Sequence, residues 1–127
     1  MIAVDTSALM AIALGEAEAD ACMRVLEVET EVVISAGTLA EALIVAARRN
    51  VVEEVRRLID GLGLDIVSVT PASARRIAAA YARWGRGVHP AGLNFGDCFS
   101  YEVAKEHSCP LLYVGEDFSR TDLEGAI

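Results

Sequence analysis

The sequence predicts an α/β domain whose largely parallel sheet is covered on both faces. Three observations carry this: four short apolar runs with strand character, longer stretches of helical spacing between them, and the alternation of the two along the chain. With 127 residues, 54% of them hydrophobic, the chain is long enough to bury a core without disulfide or metal staples, so one globular unit over residues 1–127 is expected.

Ile2-Ala3-Val4 is the first strand run, and Val32-Val33-Ile34, Ile66-Val67-Ser68-Val69 and Leu111-Leu112-Tyr113-Val114 follow it, each flanked by polar or turn-forming residues. All four read as short buried strands. Helical spacing runs from Ala8 to Leu14 and from Ala17 to Val28 before the second strand, and from Leu39 to Arg49 and Val51 to Leu62 before the third. Pro71 then opens a helix to about Trp84, because a first-turn proline forfeits no helical hydrogen bond. A loop with Gly85, Gly87, Pro90 and Gly92 leads to a last helix from about Asp97 to His107. The stripes Leu39, Leu43, Ala46, Ala47 and Val51, Val55, Leu58, Ile59, Leu62 are core first. Part of this apolar helical pair is also expected to be exposed as a protein-binding surface.

Composition removes several classes of function. The apolar stretches fall short of a membrane span and the amino-terminal residues lack a signal peptide's basic start, so a cytoplasmic protein without a membrane partner is expected. Cys22, Cys98 and Cys109 are odd in number and unspaced for zinc, which leaves reduced thiols. The net charge is −8 and Lys105 is the only lysine, so no basic groove for nucleic acid is evident. The glycine-rich loop lacks the Lys and Ser or Thr of a triphosphate-binding loop, and it follows a helix rather than a strand.

In a parallel sheet the functional groove lies beyond the carboxyl ends of the strands. Four acids are expected there. Asp5 ends the first strand, Glu41 follows the second, Asp97 starts the late helix and Asp117 follows the last strand. Two carboxylates about 5 Å apart repel by roughly 3 kcal/mol at an effective dielectric of 20, so such a cluster calls for a cation. Oxygen ligands select a hard one, Mg²⁺ or Mn²⁺, which keeps open positions for phosphate oxygens. Metal-activated water attacking a phosphodiester is the chemistry this suits. Asp5 and Asp97 are the expected principal ligands, with Glu41 and Asp117 completing the cage and Thr6 and Ser7 orienting a ligand or water.

Four segments, Val4-Asp5-Thr6-Ser7-Ala8-Leu9, Leu39-Ala40-Glu41, Leu93-Asn94-Phe95-Gly96-Asp97-Cys98 and Gly115-Glu116-Asp117-Phe118-Ser119-Arg120-Thr121-Asp122, together resemble the PIN-domain family, most closely its VapC-type toxins. The resemblance spans essentially the whole chain. It implies a PIN-like three-layer α/β/α sandwich, Mg²⁺- or Mn²⁺-dependent endoribonuclease activity leaving 5′-phosphate and 3′-hydroxyl ends, homodimerisation, and inhibition by a cognate antitoxin. The family's acids fall on Asp5, Glu41, Asp97 and Asp117 and its hydroxyl on Thr6 or Ser7, while Glu116 and Asp122 are secondary candidates for supporting roles.

Each acid also has an ordinary explanation when taken alone. Asp97 suits an N-cap, Thr38-Leu39-Ala40-Glu41 suits a capping box, and Asp117 suits a turn. Asp5 is harder to dismiss, since a carboxylate at the end of a buried strand is costly without a partner. Arg83, Arg86, His89 and Arg120 lie in or beside loops near the acidic edge, where they are expected to meet RNA phosphates. For His89 a structural role stands beside this one. The rival readings are a phosphohydrolase of small phosphate esters, although no D-x-D follows the first strand, and a catalytically silent metal- or RNA-binding module.

Overall fold

The computed structural model describes all of residues 1–127. Its elements in order are β1 (Ile2–Val4), α1 (Thr6–Ala13), α2 (Ala19–Val28), β2 (Val32–Ser35), α3 (Ala36–Arg48), α4 (Val52–Leu62), β3 (Asp65–Val67), α5 (Pro71–Trp84), α6 (Phe95–Glu106), β4 (Leu111–Leu112) and a 3₁₀ turn (Phe118–Arg120). The four strands form one sheet in the order β3-β2-β1-β4, and every pairing is parallel.

Side chains alternate across a strand, and this splits the core into two layers. Ala3, Val33 and Leu111 face one side and pack with Ile77 and Ala80 of α5 and Cys98 and Val103 of α6. Ile2, Val4, Ile34 and Leu112 face the other, against Ala8 and Leu9 of α1, Cys22 and Leu26 of α2 and Ala42 of α3. The result is the three-layer sandwich expected. No helix is long and apolar enough to cross a membrane.

Two strands are shorter than their apolar runs, and the same cause explains both. β3 pairs only with β2, whose last residue Ser35 lies opposite Val67, so Ser68 and Val69 have no partner. β4 ends at Leu112 because β1 ends opposite it at Val4. β3 is also an edge strand. Ile66 is 53% exposed, against the expectation of a buried strand there.

Helix boundaries move for local reasons. α3 begins at Ala36 rather than Leu39, since the Ser35 hydroxyl accepts the Gly37 N–H and caps it. Pro71 opens α5 as expected, within a capping box between Thr70 and Ser73. Gly63 closes α4 with φ of 59°, a left-handed conformation that costs glycine little. Of the apolar stripes, Ala46 and Val55 are fully buried, whereas Ala47 faces solvent.

From β1 the chain moves outward through β2 and β3 and then returns to the other side of β1 as β4. The switch point therefore lies between β1 and β4, where an open parallel sheet leaves a crevice at its carboxyl edge.

Candidate active site

Asp5 follows β1 directly and opens α1 as its N-cap, with an extended backbone at φ −94° and ψ 157°. Only 4% of it is exposed. Its Oδ2 accepts from the Ser7 backbone N–H at 3.0 Å and from the Ser7 hydroxyl at 2.7 Å, and its Oδ1 accepts from the Ser100 hydroxyl at 2.5 Å. These three donors offset the cost of burying the carboxylate. Ser7 Oγ also accepts the Val114 N–H at 3.0 Å, which ties the β1–α1 turn to the chain leaving β4.

Glu41 lies one turn further into α3 than a capping box would need, and it does not cap. Its Oε1 accepts from the Thr6 hydroxyl at 2.7 Å, and its other oxygen presses on Gly96 so closely that a Cβ there would overlap it. Thr6 thereby links the acid of one helix to the start of another.

Asp97 is not the N-cap of its helix either. Asn94 holds that position, so α6 starts at Phe95 and Asp97 falls at N3, its Oδ2 accepting the Asn94 N–H at 3.0 Å while Asn94 Oδ1 accepts the Asp97 N–H at 2.8 Å. Burial pushes the Asp97 carboxyl up to about 6, and the charges of Asp5, Asp117 and Glu41 push the same way against the Asn94 hydrogen bond. The four acids therefore share one electrostatic neighbourhood. Asp117 is exposed at the start of the 3₁₀ turn and makes no capping bond.

No three of these side chains gather tightly enough, as they stand, to enclose an ion by themselves. The donor set still fits a hard cation that retains its waters, since Mg²⁺ is typically held through one or two carboxylates and completed by water and phosphate. All the donors are oxygens, and the Asp97 carboxyl, raised first by burial and then by the charges of Asp5, Asp117 and Glu41, would be relieved by a cation among them.

The remaining sequence candidates separate. Asp122 accepts from the Tyr101 hydroxyl at 2.7 Å and from Lys105 at 3.2 Å, with Arg83 at 3.8 Å, and these contacts draw its carboxyl below the usual range despite some burial. None of the four acids belongs to that network. Arg83 also lies over the Trp84 ring at 4.4 Å. His89 packs edge-on against Trp84 at 4.6 Å, and its Nδ1 accepts the Ala91 N–H, which makes it a loop-fastening residue. Arg120 donates to the Pro90 carbonyl at 3.3 Å, Arg86 is exposed without an ion pair, and Glu116 is exposed.

Four residues not singled out for the site from sequence shape it. Ser100 anchors Asp5, Thr38 meets Ser100 at 3.1 Å, Asn94 orients Asp97, and Gly96 makes room for Glu41. A sequence signal exists for Ser100, which lies three residues after Asp97 and so on the same helix face.

A sequence profile of the PIN domain matches residues 2–124. Ribonuclease VapC42 of Mycobacterium tuberculosis is 40% identical over 127 residues, covering 97% of each chain. Among solved structures, Mycobacterium tuberculosis VapC20, described as a sarcin-ricin loop cleaving toxin, superposes with a TM-score of 0.79 over 97% of this chain and 96% of its own at 19% identity. A toxin-antitoxin complex from Klebsiella pneumoniae gives 0.73 over 96% and 93%, also at 19% identity. At that identity the two structures speak for the fold alone. Profile, sequence relatives and architecture agree that the chain belongs to the PIN-domain family, in its VapC branch.

Proposed function

We propose that this chain is a divalent-metal-dependent endoribonuclease, using Mg²⁺ or Mn²⁺, with Asp5, Glu41, Asp97 and Asp117 as its working acids. The observation that carries this reading is the meeting of acids from three elements: Asp5, buried at the end of β1, is held by Ser100 of the helix that bears Asp97, and Glu41 of α3 presses on Gly96 beside Asp97. Relatives bearing the ribonuclease name support it over nearly the full length.

A hard cation bound there would supply positive charge to the phosphate, acidify a bound water and stabilise the departing oxygen. Asp5 and Asp97 would hold it. Asp5 is pre-oriented by Ser7 and Ser100, while Asp97 gives up its proton before it can serve as a ligand. Glu41, fixed through Oε1 by Thr6, and Asp117 would complete the site directly or through water. Water oxygen forms the new bond to phosphorus, the bond from phosphorus to the ribose 3′ oxygen breaks, and 5′-phosphate and 3′-hydroxyl ends result. Arg86 and Arg120, both exposed, are the basic side chains that would steer the RNA; Arg83 and His89 are largely taken up by Trp84 and Asp122.

The test is degradation of RNA with Mg²⁺ or Mn²⁺ against EDTA, by wild type, Asp5→Asn and Asp97→Asn. Metal-dependent cleavage lost in both variants is expected. Cleavage in EDTA, or turnover of a small phosphate ester beside intact RNA, would overturn the reading.

We further propose that a cognate antitoxin inhibits the enzyme and that it works as a homodimer, through part of the α3–α4 face, where Ile44 is 58% exposed. Sedimentation alone and with the neighbouring gene's product should show both assemblies. A persistent monomer in both runs would remove the proposal.

A further inference from the structure

We propose that Phe95, with Tyr81 and Arg86 beside it, is a platform on which a nucleobase flanking the scissile phosphate of single-stranded RNA stacks; this rests on the nuclease reading above. Phe95 is the first residue of α6 and is 72% exposed. A large apolar ring left in water serves no purpose in folding, since its burial would stabilise the chain.

The ring is braced from behind. Phe99 meets it edge-on, with centroids 4.9 Å apart and planes at 88°, and Phe99 is itself seated so close to Gly37 that no Cβ would fit there. The start of α3 thus fixes the orientation of a ring on α6. A rigid platform loses little entropy when a flat partner stacks on it.

Its position links it to the acids. Asp97 is two residues further along the same first turn, and Gly96 between them touches Glu41. A strand whose phosphate reached Asp97 would bring a neighbouring base to Phe95.

The surroundings suit a nucleotide. Tyr81, Arg86, Asn94 and Phe95 line an open hollow of about 270 Å³. Tyr81 is 41% exposed, and Arg86 enters no ion pair. An adjoining hollow of about 460 Å³ shares Tyr81 and Phe95 and is mostly apolar. Aromatic faces accept any base, and a free guanidinium beside them meets the phosphate of the same nucleotide. A chain of net charge −8 draws little affinity from long-range attraction, which makes stacking the natural substitute. The apolar hollow alone would equally suit a second copy of the chain; the place of Phe95 two residues before Asp97, in the first turn of the same helix, favours RNA.

The experiment uses wild type, Phe95→Ala, Phe95→Trp and Arg86→Ala on a single-stranded RNA that wild type cleaves, with each nucleotide flanking the cut made abasic in turn. Phe95→Ala should raise KM about ten- to hundredfold with kcat altered far less, and Phe95→Trp should restore it. One abasic position should reproduce the loss in wild type and add nothing to it in Phe95→Ala. Arg86→Ala should raise KM for every RNA, abasic or not, and flatten its salt dependence.

Equal KM for Phe95→Ala and wild type would overturn the platform. So would a loss that accompanies conversion of a dimer to a monomer in sedimentation, which assigns the hollow to a second copy. A wild type that cleaves no RNA with any metal would instead remove the nuclease reading, and the platform with it.

Discussion

Ser100 on α6 donates a 2.5 Å hydrogen bond to Asp5 at the end of β1, a residue 95 positions earlier in the chain. It closes one oxygen of a buried carboxylate whose other oxygen is closed by Ser7. The acid at the centre of the proposed site is therefore positioned by two elements that meet only in the fold.

Ser100→Ala leaves Asp5 Oδ1 without its donor inside the protein. The expected cost is about 1–3 kcal/mol of stability in urea denaturation, with Mn²⁺ affinity down roughly tenfold as the carboxylate loses its orientation. Ser100→Thr keeps the hydroxyl and should recover most of the metal affinity.

Gly96→Ala places a methyl group where the Glu41 carboxylate lies. Glu41 is flexible at its end, so it should swing away and break its bond to Thr6 rather than unfold the helix. Alanine also favours the helix by about 1 kcal/mol over glycine. Stability should thus stay within about 1 kcal/mol of wild type while RNA cleavage drops by at least about tenfold. Denaturation and cleavage measured on the same preparation separate the two.

Asp97 gives a pH dependence of definite sign. Its carboxyl lies at about 6 in the folded chain against an ordinary 3.8, so the folded state binds the proton more tightly. The stabilisation from protonation is fully present below 3.8 and is lost as pH rises to about 6. In EDTA, wild type and Asp97→Asn should be similarly stable near the acid end of that window. By neutral pH the wild type should be the less stable by about 2 kcal/mol, discounted for partial exposure. Metal affinity of the wild type should rise over the same range, as the proton competing with the cation leaves.

Much of this arrangement was legible from the chain alone, because its signals are local. Ile2-Ala3-Val4 followed by Asp5 marks a strand and the acid at its end, and the order of strands and helices fixes which edge the acids share. Cap assignments were less legible: Ser35 and Asn94, rather than Thr38 and Asp97, start α3 and α6, since several adjacent residues are chemically able to cap and only the backbone path chooses between them. The lengths of β3 and β4 depend on where β2 and β1 end, and the bond between Ser100 and Asp5 on the closure of the whole sheet. Neither is written in a window of sequence.

Asp122 tests the separation between scaffold and site. Its contacts are to Tyr101, Lys105 and Arg83, and Tyr101 in turn accepts from Trp84 Nε1 at 3.0 Å. Asp122→Asn should lower stability by about 1 kcal/mol and leave metal-dependent cleavage within about threefold of wild type. A loss of cleavage as deep as that of Asp97→Asn would make it a member of the site.

The most direct measurement is a calorimetric titration of Mn²⁺ into wild type, Asp5→Asn, Glu41→Gln, Asp97→Asn and Asp117→Asn at neutral pH. Saturable binding in the wild type, weakened about tenfold or more in each variant and most in Asp5→Asn and Asp97→Asn, is the expected result. The same affinity in all five folded proteins would contradict the account.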